Sequence, residues 1–190
     1  FLIAYTGIWV ISPKRLFTGN WKDELWLVAG GIFGGSLYFF TENTALGITQ
    51  ASNVSFIICT APLLTTILSL LFYKSEKASK GLIYGSLLAL MGVGLIVFNG
   101  SFVLKISPIG DLLTLLAALS WAFYSLIIKK MAGRYPTVFI TRKIFFYGVL
   151  TILPAFLLHP LQPDTAVLLQ PGVLFNLLFL AVLASLICYV

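Results

Sequence analysis

Long apolar runs alternate with short polar gaps along this chain, and the positive charge collects in every second gap. Lys14, Arg15 and Lys22 fill the first gap, and Lys74, Lys77 and Lys80 the third. Lys129, Lys130, Arg134, Arg142 and Lys143 cluster around the fifth. The second and sixth gaps hold no Lys or Arg, and the fourth holds only Lys105. A bilayer imposes this alternation, because cytoplasmic loops retain positive charge while translocated loops do not. The chain therefore reads as an all-α, polytopic transmembrane helix bundle whose odd-numbered gaps face the cytoplasm. Helices are required because lipid-exposed backbone has to satisfy its hydrogen bonds within its own segment.

Composition points the same way. Hydrophobic residues make up 59% of the chain and charged residues only 9%, against about a quarter charged in a soluble domain. The net charge of +6 sits at helix ends beside a membrane, so no nucleic acid is needed to explain it. Cys59 and Cys188 both fall inside apolar runs and read as small packing residues, not a disulfide framework.

The first run stops at Ser12 and is too short to cross ~30 Å of hydrocarbon. Full helices are predicted over 25–46, 51–73, 81–98, 109–128 and 139–158, with another beginning near Gly172. Because both ends interrupt apolar runs, the chain is expected to be an internal fragment of a longer protein. The loop from His159 to Gly172, with Pro160, Pro163 and Pro171, is the longest external link, and His159 reads as a solvated loop residue. Gly30, Gly31, Gly34 and Gly35, and separately Gly81, Gly85 and Gly92, form small-residue stripes. Such stripes predict close helix contact, since packing holds helices together in lipid.

An ordered set of features carries a resemblance over nearly the whole chain. Thr44-Ala45-Leu46 closes one helix, and Ala51 opens the next, which carries Pro62-Leu63. Glu76 sits in a basic gap, followed by Gly81, Gly85, Gly92 and Gly94. Gly110-Asp111-Leu112-Leu113 then leads into Ala118-Leu119-Ser120-Trp121-Ala122. In this order the chain resembles the EamA-type family of the drug/metabolite transporter superfamily. The resemblance implies a fragment of a ten-helix transporter built from two inverted five-helix repeats. Residues 1–98 would be the first repeat without its first helix, and 108–190 the second without its last helices. It also implies a secondary transporter in a cell membrane, the inner membrane of a bacterium, moving a small metabolite by alternating access.

Glu42 is the most expensive residue to place in lipid. It lies about one turn from the outer end of its helix, beside Asn43, with Tyr38 one turn back on the same face and Gln50 and Asn53 opening the next helix. A carboxylate there costs a few kcal/mol unless paired, protonated or hydrated. Two readings stand: a polar pocket wall that binds a substrate ammonium or titrates during transport, and a near-surface carboxylate that snorkels or caps the next helix. Pro62 removes a backbone donor in mid-helix, which either kinks the helix or exposes polar backbone to substrate. Trp121, Tyr124 and Ser125 form a polar-edged aromatic cluster that either stacks on substrate or bonds a neighbouring helix. Tyr189, with Cys188 and Ser185, is a further candidate for the same cavity. Arg142 and Lys143 are expected to snorkel to headgroups, and Glu76 to neutralise its lysine neighbours.

The candidate substrate-binding set is therefore Tyr38, Glu42, Asn43, Asn53, Pro62, Trp121, Tyr124 and Ser125. One histidine and two separated cysteines build no usual zinc or haem site. No catalytic residues, cofactor or metal are expected, and the chain reads as no enzyme. The expected partners are a small-molecule substrate and the bilayer, without nucleic acid. Proton coupling and homo-oligomer formation are compatible with this reading. The alternatives are a non-catalytic structural or receptor-like bundle and, behind it, an intramembrane enzyme. A cysteine replacing Lys77 is expected to react with a membrane-impermeant maleimide from the cytoplasmic side, and one replacing Lys105 from the opposite side. Reaction of both from one side would refute the threading.

Overall fold

The structure, a computed structural model, describes residues 2–11, 17–73, 80–98, 107–158 and 165–187. The helices are α1 (Leu2–Ile11), α2 (Trp21–Gly31), α3 (Tyr38–Ile48), α4 (Ala51–Ile58), α5 (Ala61–Phe72) and α6 (Lys80–Phe98). They are followed by α7 (Pro108–Ala132), α8 (Thr137–Leu158), α9 (Thr165–Leu168) and α10 (Pro171–Leu178). Two wider π-helical segments, Ile32–Leu37 and Phe179–Ile187, follow α2 and α10. There is no strand among the described residues. Among the described residues, three helical stretches, Ala51–Phe72, Pro108–Ala132 and Thr137–Ala155, are long and apolar enough to cross a membrane.

The helix ends follow from local chemistry. Asn20 caps α2, its side-chain oxygen accepting the Lys22 N–H at 3.1 Å, which satisfies one of the donors a helix start leaves open. Gly19 just before it has φ +76°, a left-handed conformation that glycine adopts without Cβ strain. Pro108 starts α7, and the Asp111 carboxylate turns back to accept the Ser107 N–H at 3.1 Å. Lys129 and Lys130 occupy the last turn of α7, where positive charge complements the helix dipole.

The chain divides into two compact units, residues 1–36 with 127–190, and residues 37–126. In the first, α1 and α2 pack on α8, and α1 also meets the 179–187 segment. Ile8 and Phe145 are fully packed at the centre of one cluster, with Tyr5 and Val138 against them. In the second unit, α3 packs on α4, while α4 and α5 pack on α6.

The stripe of glycines on α2 fulfils the predicted role. A Cβ added at Gly31 would sit 2.5 Å from the Tyr147 Cβ and 2.9 Å from the Gly148 nitrogen, and one at Gly35 would sit 2.8 Å from the Gly148 Cα. Gly31 in α2 and Gly35 in the segment after it thus bring their backbone against α8 at Tyr147 and Gly148. Beside that contact the hydroxyls of Ser36 and Thr151 lie 2.9 Å apart. The second stripe behaves differently: a Cβ at Gly85 or Gly92 would meet nothing within 4 Å. The reason is that α6 presents an exposed face, with Leu88 and Leu95 more than two-thirds exposed, so its glycines are not pressed against a neighbour.

The 51–73 span is interrupted. The helix breaks at Cys59 and Thr60 and restarts with Pro62 in the first turn of α5. There proline's missing N–H costs nothing. The Thr60 hydroxyl and the Thr60 N–H both donate to the Ile57 carbonyl, at 2.6 and 2.9 Å, so side chain and backbone together close the end of α4. Gly31→Ala is expected to destabilise by about 1–3 kcal/mol, the usual range for overpacking, because backbone atoms cannot rotate away. Gly85→Ala should leave the thermal midpoint in detergent unchanged or slightly raised, and equal midpoints for the two variants would contradict the glycine seam.

Candidate functional site

In the 37–126 unit, α3, α4 and α7 carry the polar and aromatic candidates. Tyr38 and Glu42 are one turn apart on α3, the spacing at which helix side chains meet. The Tyr38 hydroxyl donates to Glu42 Oε1 at 3.1 Å, and Glu42 itself is half-buried. Trp121 and Tyr124 are also spaced to meet, on α7. The Trp121 ring lies 5.0 Å from Tyr38 at an interplanar angle of 53°, and 5.0 Å from Tyr124 at 49°. Both are tilted arrangements at favourable aromatic separations. Tyr38 therefore links the carboxylate to a row of three rings.

Not every candidate joins that row. Asn53 is almost fully buried on α4, at 2% exposure. Asn43 is exposed and donates to the Phe39 carbonyl of its own helix at 2.7 Å. The Ser125 hydroxyl is likewise turned to its own helix, donating to the Trp121 carbonyl at 2.9 Å. Pro62 is exposed and, with Cys59, Gly81, Gly85, Ser86 and Ala89, lines a separate cleft of about 260 Å³. Glu76, Lys77, Lys105, His159, Cys188 and Tyr189 lie outside the described residues, as does the Ser185 side chain. What the row offers chemically is a carboxylate set beside π faces, a combination that suits an organic ammonium group. Among the described residues no group of His, Cys, Asp and Glu is arranged to hold a metal ion.

A second polar cluster lies in the 1–36/127–190 unit, and the sequence did not announce it. The side chain of Lys143 is fully buried and pairs with Glu24. It does not snorkel as expected, because Glu24 and Tyr147 give it partners inside the protein. Arg142 is buried too, at 1% exposure. Glu24 also accepts from the Tyr147 hydroxyl and, through Oε2, from the Thr18 hydroxyl at 2.8 Å and the Thr18 N–H at 3.2 Å. Next to it, Asp23 accepts from Arg134 Nη1 at 2.6 Å and from the Tyr135 hydroxyl at 2.9 Å. Burial and the neighbouring Asp23 hold the Tyr135 phenol above its ordinary pKa, so it remains a donor. The available signal was charge complementarity: the acidic pair Asp23-Glu24 and the basic pair Arg142-Lys143 both flank gaps rich in Lys and Arg.

These features define a helical membrane protein with a half-buried carboxylate–aromatic row and a second, ionic cluster. The family model described as "EamA-like transporter family" matches residues 1–98 and 108–190. The chain belongs to that family. It is 28% identical over 184 residues to an "Uncharacterized transporter" of Archaeoglobus fulgidus, covering 96% of this chain and 62% of the relative. It is 33% identical over 128 residues to "Uncharacterized transporter YdfC" of Bacillus subtilis, covering 66% of this chain and 40% of the relative. A Clostridium kluyveri "Uncharacterized transporter" is 30% identical over 149 residues, covering 75% of this chain and 47% of the relative. The chain thus spans roughly 40–62% of the length of these relatives. No solved structure matches.

Proposed function

We propose that this chain is part of a secondary transporter that moves a small metabolite bearing an ammonium group, an amino acid being the simplest case. The observation that carries the proposal is the row Glu42–Tyr38–Trp121–Tyr124, with its 3.1 Å hydrogen bond and two 5.0 Å ring contacts. Glu42 accepts the ammonium, and the rings hold the remainder of the substrate by stacking and cation–π attraction. Asn53 supplies a polar wall from α4. Residues 1–98 and 108–190 act as two inverted repeats that rock around the site to give alternating access. The transporter sits in the cell membrane with the basic gaps in the cytoplasm, and in a bacterium this is the inner membrane.

Coupling follows from the same carboxylate. A proton and a substrate ammonium compete for Glu42, so substrate leaving one side is replaced by a proton entering from the other. Two independent features favour transport over a purely structural bundle: the half-buried acid and the relatives' printed names.

Proteoliposomes containing the full-length protein provide the test. Labelled amino acids and other amines are supplied with and without a proton gradient. Glu42→Gln is expected to abolish flux while the protein still inserts and runs as the wild type in gel filtration. In the wild type, flux should change as external pH is varied. Undiminished flux in Glu42→Gln, or wild-type flux flat across pH, would remove Glu42 from the mechanism.

A further inference from the structure

The 1–36/127–190 unit places two chemistries in sequence along one helix pair. At the start of α2, Asp23 and Glu24 reach across to Arg134, Tyr135, Lys143 and Tyr147. Two turns later the glycines take over, and Gly31 and Gly35 meet Gly148 through bare backbone. The two contacts respond differently to separation. Apart from the Ser36–Thr151 hydroxyl pair, the glycine seam has few side chains to unlock and permits small rotations of one helix on the other. An ionic cluster is either made or broken.

The cluster is also built as a poor source of stability. Lys143 is fully buried and Glu24 nearly so, with 0% and 12% side-chain exposure. Taking such a pair out of water costs about as much as the pairing returns, and similar-sized apolar residues would serve stability as well. Its outer half stays wet: Arg134 is 54% exposed. A cleft of about 460 Å³ opens beside Glu24 and Tyr147, walled by Phe17, Trp21, Leu25 and Val28. The cleft leaves one flank of the cluster unpacked, and with the basic gaps in the cytoplasm this is the flank from which water would hydrate the charges of an opened form.

We infer that Asp23–Arg134–Tyr135 and Glu24–Lys143–Tyr147 form a two-part clasp closing the cytoplasmic ends of α2 and α8, with the glycine seam as its pivot. The inference rests on the transport reading and on the positive-inside threading. With the clasp shut, Leu27 is completely buried one turn beyond Glu24. With the clasp open, the start of α2 swings from α8 and Leu27 faces cytoplasmic water. Tyr135 and Tyr147 hold the carboxylates in place and are positioning residues.

The test uses the full-length protein with Cys59 and Cys188 replaced by Ala, in vesicles of both orientations. Leu27→Cys reports on the clasp, and Ala45→Cys, at a buried position on α3, reports on general loosening. The probe is a maleimide that does not cross bilayers. Lys143→Met leaves Glu24 buried without its cation, and labelling of Leu27→Cys from the cytoplasmic face should rise roughly tenfold. Asp23→Asn is milder, keeps the inner pair intact and should raise it several-fold, so it decides the matter if Lys143→Met does not fold. Ala45→Cys should not change in either background. Unchanged labelling at residue 27, or a parallel rise at residue 45, would overturn the clasp. The readout needs no substrate. Opening at residue 27 in a protein that moves no compound would fault the transport reading instead, and intact transport with no opening would fault the clasp alone.

Discussion

Backbone-to-backbone contact at Gly31, Gly35 and Gly148 is the constraint on which the 1–36/127–190 unit depends. In lipid there is no hydrophobic drive to bring two apolar helices together, so association rests on close packing and on polar side chains that find partners. A Cβ at Gly35 would lie 2.8 Å from the Gly148 Cα, and the helices would have to part. Everything beside the seam relies on that distance. The Ser36 and Thr151 hydroxyls sit 2.9 Å apart because of it, and Glu24 finds Lys143 because α2 stays against α8 over its whole length.

Polar groups are bonded differently in the two units. In the ionic cluster, acids meet bases and few valences are left for a ligand: Glu24 alone accepts from Lys143, Tyr147 and Thr18. In the aromatic row, the hydrogen bond that Glu42 accepts among the described residues comes from a phenol that carries no charge. A carboxylate neutralised by a buried lysine is a poor partner for an incoming cation. One held only by a tyrosine remains available. The same residue type, at two places in one membrane protein, is thus crowded with donors in one and sparsely bonded in the other.

Much of this was legible in the residues. Helix positions followed from apolar length, because a fixed hydrocarbon thickness leaves little freedom; α6 begins and α8 ends within a residue of expectation. The Tyr38–Glu42 and Trp121–Tyr124 pairs followed from helical spacing. Two things did not. Lys143 was expected to reach for headgroups, and only tertiary packing brings it to Glu24, 119 positions away. The glycines of α6 looked like those of α2, since a small-residue stripe records where contact is permitted and not whether a partner helix is present. Pro62 sat between the two cases: its disruptive effect was readable, but not that the helix would stop at Ile58 and restart at Ala61.

That interruption has an electrical consequence. Near the middle of a 22-residue span, the carbonyl end of α4 and the amide end of α5 face each other across two residues. Each helix end carries about half an elementary charge, negative at the first and positive at the second. In an unbroken helix these would cancel along the axis. Cys59 and Thr60 keep right-handed backbone angles, so the two dipoles stay nearly head to tail, and what the break leaves is a small residual doublet beside the cleft that Cys59 and Pro62 line.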